Sequence, residues 1–308
     1  MNVLGPGGRP PDVSVIMPAY NSSATLPDQL AALARQDFDG SFEIVIADNG
    51  SSDDLSGAVA RAAVELDGRA PCRIVDGSRS AGPGYARTIA LLHARGERIA
   101  FCDADDVVDD GWLAALVSAL DEADVVTGSV AESTSSALEE LGPERLFATL
   151  SFAVGQSPGG IWGGNSAFRR AALSGFAPDL LYKMDNATGL RALDAGFRWA
   201  AVEEARLLYR QPERPTAQFH RGYLNGAGRV QLFREFPEIG YHLTSPWRSL
   251  AWIVLKAPLA LTSRRRNEWS RITGSYVGSV VETWLPGLSG GVLRARRAKR
   301  RLAADGAG

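Results

Sequence analysis

Short apolar runs and helical patterns alternate along the first half of the chain. Residues 13–17, 43–47, 73–75, 98–102 and 124–127 are rich in Val and Ile. They are continuous rather than alternating, as strands buried on both faces should be. Helical spacing fills the gaps between them. Thr25 followed by Asp28 reads as a capping box with Pro27 in the first turn, and Leu26, Leu30 and Leu33 then mark one apolar face. Residues 54–66, 85–94 and 111–120 give three further helical candidates. Strand and helix in alternation predict βαβ units and a doubly wound, mainly parallel sheet. Ligands bind such sheets beyond the carboxyl ends of the strands, so the polar residues that follow each strand are the ones to inspect.

Between residues 129 and 164 the pattern loosens into a Ser/Glu-rich connection, a short helix over 138–150 and the Gly-rich segment GQSPGGIWGGN. Residues 166–175 and 187–195 have helical spacing, the second ending at Gly196 as at a C-cap glycine. After His220 the sequence turns helical, aromatic and then basic. The 308 residues, 45% hydrophobic and 22% charged, have the composition of a soluble globular chain. This excludes disordered, collagen-like and disulfide-scaffold classes. The net charge of −2 conceals an asymmetry: from His242 onward there are twelve Lys or Arg against three Asp or Glu, so an acidic body ends in a basic tail. Cys72 and Cys102 lack metal-ligand spacing and read as buried free thiols, which fits a reducing cytoplasm. The Gly/Pro-rich start has no apolar h-region, so no secretory signal is expected. The longest apolar stretch, residues 250–261, is interrupted by Lys256 and Pro258 and falls short of the about 20 residues that span a bilayer.

Candidate chemistry sits at three strand ends. The first strand runs into Pro18, Ala19, Tyr20 and Asn21, the second into Asp48, Asn49, Gly50, Ser51, Ser52 and Asp53, and the fourth into Asp103, Ala104, Asp105 and Asp106. Carboxylates crowded at one edge repel unless a cation or hydrogen-bond donors offset them, and hard oxygen ligands suit Mg²⁺ or Mn²⁺. A divalent ion shared with a diphosphate would resolve the crowding.

The ordered segments VSVIMPAYNSSATL, EIVIADNGSSD and AGPGYARTIALLHARGERIAFCDADD resemble the nucleotide-binding half of the family-2 inverting glycosyltransferases of the GT-A fold. WGGNSAFRRAAL resembles that family's glycine-rich acceptor segment, and MDNATGLRALDAGF its Glu-Asp segment. The resemblance implies an α/β fold of GT-A type, with a catalytic domain over 12–230, split into a nucleotide-binding half (12–130) and an acceptor half (131–230). A helical, basic extension would follow over 231–308. By resemblance, Asp48 accepts from the nucleotide base, Pro18, Tyr20 and Asn21 wall the same pocket, and Arg87 approaches the phosphates. Asp103 meets ribose or metal, Asp105 holds the metal (Mn²⁺ or Mg²⁺), and Asp185 is the general base. Trp162, Gly163, Gly164 and Asn165 would contact the acceptor. The implied reaction moves a sugar from a nucleotide diphosphate sugar, a UDP-sugar favoured, to a hydroxyl of a lipid-linked or cell-surface glycan, and belongs to polysaccharide or cell-envelope synthesis.

This sequence departs from the family pattern at three places. Met184 stands where the family has Glu before the base, Thr88 where Asn follows the arginine, and Asn49 where a second Asp is frequent. Met184 and Thr88 favour the rival expectation of a sugar-nucleotide-binding pseudoenzyme that serves as an assembly partner. An N-cap role for Asp185 is compatible with its role as base. A nucleotidyltransferase would want a basic loop after the first strand, and PAYNSS is not basic.

The C-terminal segment mixes Trp247, Trp252, Leu250, Ile253, Val254 and Leu255 with Arg248 and Lys256, followed by three arginines at 264–266. A second apolar stretch covers 276–285, and Arg294–Arg301 adds six cations. Such a mixture suits a membrane interface, where each cation near anionic lipid contributes about 1 kcal/mol. The expectation is a cytoplasmic protein held at the inner face of the membrane through residues 247–301. The alternative is that both helices pack on the catalytic domain. Nucleic acid is not an expected partner, because the body is acidic and the tail lacks interleaved aromatics.

Overall fold

The computed structural model describes residues 9–62, 64, 66, 68–155, 160–173, 183–239, 245–258 and 263–285. Residues 174–182 and the basic run Arg294–Arg301 lie outside the described residues. Two compact units are present: among the described residues, one comprises those up to 173 together with Asp185–Arg210, the other those from 183 to 184 and from 211 to 285.

In the first unit the elements run β1 (Val13–Ala19), α1 (Leu26–Ala34), β2 (Phe42–Asp48), α2 (Leu55–Ala62), β3 (Cys72–Asp76), α3 (Pro83–His93), β4 (Arg98–Cys102), β5 (Val107–Val108) and α4 (Trp112–Ala119). They continue with β6 (Val125–Ser133), α5 (Ser135–Leu141), α6 (Pro143–Thr149), β7 (Ala153–Val154), β8 (Asn165–Arg169), α7 (Met184–Asp194) and β9 (Trp199–Arg210). The strands form one sheet in the order β3-β2-β1-β4-β8-β6-β9-β5, with β7 beside β6. Pairing is parallel across β3, β2, β1 and β4, as the apolar runs predict. Beyond β4 the sheet is mixed, because β8 runs antiparallel to both neighbours. Val13, Val15, Ile44, Ile46, Ile99 and Phe101 are wholly buried, as expected of strands covered on both faces.

Three local expectations change. Residues 166–175 were expected to be helical, yet 165–169 form β8 and only Arg170–Ala172 make a single 3-10 turn. Phe168 is fully buried and meets Phe101 edge to face, at 5.7 Å between centroids, so pairing between β4 and β6 overrides local helical spacing. The helix expected over 138–150 is two helices, α5 and α6, joined at Gly142. The Thr25–Asp28 capping box does not form: the Thr25 hydroxyl donates to Ala104 O at 3.1 Å, and Asp28 Oδ2 accepts from Arg210 at 2.8 Å. Gly196 does carry the positive φ of a C-cap glycine, at 86°.

The turn from α3 into β4 explains an otherwise silent part of the sequence. Glu43 on β2 is fully buried and accepts from the Ser14 hydroxyl at 2.6 Å, from the Arg95 amide at 2.8 Å and from the Arg73 guanidinium at 2.8 Å. Gly96 lies against β1, where an added Cβ would stand 2.7 Å from Ser14 N. Burial alone would raise the Glu43 carboxyl, but the Ser14, Arg95 and Arg73 donors outweigh it and hold the group below its ordinary value of 4.5.

Because its folded-state pKa is the lower one, Glu43 contributes stability above the unfolded value and loses it as the pH falls through the folded value. Glu43→Gln is therefore expected to cost about 2 kcal/mol at neutral pH. The difference from wild type should shrink in urea melts below the ordinary value of 4.5.

Candidate active site

The site begins at the carboxyl ends of β1 and β2, where Ala19 and Asp48 lie opposite each other in register. The loops that follow them are tied together. Asn21, at φ 49°, donates its amide N–H to Ser51 Oγ at 3.0 Å, and its side-chain oxygen accepts from the Ser52 amide at 2.8 Å. Asp53 Oδ2 accepts from the Ser23 amide at 2.8 Å, which holds this carboxyl below its ordinary range. Asp48 Oδ1 accepts from the Ser51 amide at 2.8 Å. Pro18 is half-buried beneath these loops, and the Tyr20 ring stands 63% exposed at their rim. The four residues expected to wall a nucleotide pocket thus share one edge of the sheet.

Asn49 joins this edge to the next. Its amide donates to Gly77 O at 2.6 Å and Ser80 O at 2.8 Å, and its oxygen accepts from the Gly82 amide at 2.7 Å. It therefore shapes the turn into α3, the helix that carries Arg87. A second Asp at this position could accept from Gly82 but could not donate to the two carbonyls.

Arg87 is 5% exposed and ion-pairs with Asp103, the first residue after β4. Asp105 touches solvent, but the protein around it strips away much of its water. That desolvation, followed by the charge of Asp103, pushes its carboxyl up to about 6. Asp106 is buried and is driven well above the ordinary carboxylate value by burial and then by Asp105 and Asp103. Its Oδ1 accepts from the Arg210 amide at 3.0 Å, and its Oδ2 has no hydrogen-bond partner among the described residues. Arg210 also donates from Nε to Asp105 O at 2.8 Å. No local sequence signal marks Arg210, because its partners are about a hundred residues away and one of them is a backbone carbonyl.

The turn Trp162-Gly163-Gly164-Asn165 completes the constellation. The Gly163 amide donates to Asp185 Oδ2 at 3.1 Å, and a Cβ at Gly163 would lie 3.0 Å from both Asp185 Oδ2 and Arg87 Nη1. A Cβ at Gly164 would lie 2.6 Å from Asp103 Oδ2. Arg87, Asp103 and Asp185 therefore gather around a turn whose lack of side chains leaves them room. Asp185 sits in the first turn of α7 rather than at its N-cap, with Oδ1 accepting from the Asn186 amide at 2.9 Å. Trp162 is 40% exposed beside this turn.

Asn165 departs from the acceptor-contacting role expected of it. Its side chain is fully buried, accepting from Trp112 Nε1 at 2.8 Å and donating to Ser129 O at 2.8 Å and Ala205 O at 2.9 Å. It anchors the glycine turn to β6 and β9 and lies out of reach of a ligand. Cys102 is wholly buried, and burial raises both thiols, Cys72 to about 12. Both are unreactive by this measure.

Among the described residues no three His, Cys, Asp or Glu side chains converge in a group able to hold a metal alone. The protein instead offers Asp103 and Asp105, the charge of the first raising the carboxyl of the second. One or two carboxylates are the donor set Mg²⁺ or Mn²⁺ uses when substrate phosphates and water complete the shell. The residues present therefore fit a divalent ion shared with a diphosphate.

The family model described as Glycosyl transferase family 2 matches residues 14–176. Poly(ribitol-phosphate) beta-N-acetylglucosaminyltransferase TarS of Staphylococcus aureus is 34% identical over 110 residues, which are 35% of this chain and 19% of TarS. UDP-Glc:alpha-D-GlcNAc-diphosphoundecaprenol beta-1,3-glucosyltransferase WfgD of Escherichia coli is 31% identical over 102 residues, 33% of this chain and 36% of WfgD. The chain thus aligns with well under two thirds of the length of these relatives. Mannosyltransferase PcManGT from Pyrobaculum calidifontis, solved with GDP-Man and Mn²⁺, superposes with a TM-score of 0.65 at 21% identity, over 90% of this chain and 88% of that one. The expected GT-A fold is the fold observed.

Replacing Asn165 by Ala leaves the Trp112 N–H and two buried carbonyls without partners. It is expected to lower the unfolding free energy by about 2–4 kcal/mol in urea titrations. A residue that only touched acceptor would leave that midpoint unchanged.

Proposed function

The chain belongs to glycosyl transferase family 2, and on that premise we propose that it transfers a sugar from a nucleotide diphosphate sugar to a hydroxyl with inversion. The observation that carries this reading is the Gly163–Gly164 turn, around which Asp185, Arg87 and Asp103 gather. Asp185 takes the proton from the acceptor hydroxyl, and the freed oxygen attacks the anomeric carbon from the face opposite the leaving group. The bond from that carbon to the diphosphate oxygen breaks, and the nucleoside diphosphate departs with the electron pair. Arg87, held against Asp103 within hydrogen-bond reach, lies where charge builds on the departing phosphates. Pro18, Tyr20, Asn21 and Asp48 bind the nucleoside, and Trp162, with the two glycines, positions the acceptor. Asp103 and Asp105 would hold a divalent ion, Mn²⁺ or Mg²⁺, which would supply neutralisation of the diphosphate charge.

The acceptor in this proposal is a lipid-linked or cell-surface glycan. It is supported by WfgD, whose name specifies a diphosphoundecaprenol-linked acceptor and a UDP-glucose donor, and by TarS, which is named for a polymer acceptor. The former also supports a UDP-sugar as donor. The catalytic domain is proposed to extend over 12–230, and a cytoplasmic site of action at the inner membrane face fits an acceptor carried by lipid.

Asp185→Asn is expected to lower kcat by about 10²–10⁴-fold while nucleotide binding, followed by calorimetry, is kept. Unchanged turnover would remove Asp185 as base, and a wild-type protein that binds donor but never turns over in any acceptor screen would favour the pseudoenzyme. Chelation with EDTA is expected to abolish release of nucleotide, and added Mn²⁺ or Mg²⁺ to restore it.

A further inference from the structure

The second unit contains α8 (Pro215–Glu235), α9 (Pro246–Lys256) and α10 (Ser263–Trp284). Helices α8 and α10 meet backbone to backbone. An added Cβ at Gly222 or Gly226 would collide with the carbonyl oxygen of Arg271 or Ser275, and one at Gly274 or Gly278 with that of Phe219 or Tyr223. Two Gly-xxx-Gly faces thus interlock, and the Ser279 hydroxyl donates to Gly226 O at 3.2 Å across the seam. The apolar stretch over 276–285, expected at a membrane, belongs to a helix already engaged in this pair.

Helix α9 is different. Ser249 is its one buried residue, and Ile253 and Lys256 are half-buried, so the i, i+4, i+7 positions turn toward its own unit. The opposite side presents Trp247, Leu250, Val254 and Leu255, exposed by 78%, 52%, 64% and 69%. With Ala251 they form a continuous apolar stripe, larger than scattered surface residues would make. Arg248 borders it, and Lys256, on the inward-turning side, reaches toward the Trp252 ring with its Nζ 5.3 Å from the centroid. The three arginines at 264–266 and the six cations of Arg294–Arg301 follow in sequence. Such charge opposes pairing with the same stripe of a second copy and favours an anionic surface. Among the described residues no helix is long and apolar enough to cross a membrane.

We infer that α9 lies in the plane of an anionic bilayer, burying Trp247, Leu250, Val254 and Leu255 below the headgroups with Arg248 at the level of the phosphates. This narrows the contact from residues 247–301 to one face of one helix. The inference rests on the reading of a membrane-borne acceptor for its purpose. Its test contains no sugar or acceptor, so the two can fail separately.

The full chain is sedimented with vesicles of phosphatidylcholine, with or without phosphatidylglycerol. Leu250→Glu with Val254→Glu is expected to weaken partitioning by at least about tenfold at unchanged helical circular dichroism. Leu250→Ala with Val254→Ala, which preserves helix propensity, should weaken it several-fold. Arg248→Gln should remove about fivefold of the preference for phosphatidylglycerol vesicles, a loss that high salt mimics in wild type. Binding by the Glu variant equal to that of wild type would overturn the inference. So would a wild-type dimer, seen by sedimentation velocity, that the Glu substitutions dissolve while vesicles capture nothing, since the stripe would then serve a second copy.

Discussion

Three carboxylates leave β4 within four residues, and the mutual repulsion of Asp103, Asp105 and Asp106 is the constraint around which the catalytic unit is arranged. Each is handled differently. Asp103 is paired with the buried guanidinium of Arg87, Asp106 is withdrawn into the interior where burial raises its carboxyl well above the ordinary value, and Asp105 is left with incompletely offset charge and a carboxyl raised to about 6. The turn itself is held by Arg210, which reaches the Asp105 carbonyl, the Asp106 carboxyl and Asp28 from the end of β9. Of the three, Asp105 is the carboxylate beside solvent whose charge the protein offsets least, and a cation there would relieve it. A loop that neutralised all three carboxylates internally would have no electrostatic demand for a ligand.

Steric space matters as much as charge. Arg87, Asp103 and Asp185 come from a helix, a strand end and a second helix, and they can approach one another because residues 163 and 164 have no side chains. The glycine turn is flexible by composition, so it needs anchors. Asn165 supplies them by tying the turn to Trp112, Ser129 and Ala205 with its whole amide. Three adjacent positions thus divide the work, with the two glycines giving room and the asparagine giving position. Asn49 does the same for the turn into α3 by donating to two carbonyls and accepting from Gly82. Amide side chains suit both places because each turn presents donors and acceptors together.

What the sequence revealed follows from how local each cause is. β1, β2 and β4 were legible because strands covered on both faces need uninterrupted apolar residues, and the acidic strand ends were legible because a parallel sheet directs ligands there. β8 was not, since Asn165–Arg169 becomes a strand only by slotting between β4 and β6, and alone its small and basic residues read as helix. The capping box failed for a related reason: Thr25 and Asp28 are claimed by Ala104 and Arg210, which no window around α1 contains. Glu43 was equally hidden. A single Glu inside an apolar strand carries no signal until Ser14, Arg73 and Arg95 are brought around it.

The same distinction between local and distant causes applies to the helical unit. In the sequence, 247–262 and 276–285 were both candidates for a lipid surface. Packing separates them, because glycines at both faces let α8 and α10 touch along their backbones, whereas α9 presents only a serine as its buried contact and leaves its large side chains outside. A helix whose hydrophobic residues are not consumed by its own protein must either expose them at a cost or give them another medium. The bordering arginine favours the proposed anionic surface, since a cation beside an apolar stripe gains from anionic headgroups and loses from a second copy of itself. The near-neutral charge of the whole chain therefore cancels two unlike quantities, which the proposals above assign different partners: carboxylates at the strand ends for a cation, and C-terminal cations for an anionic surface.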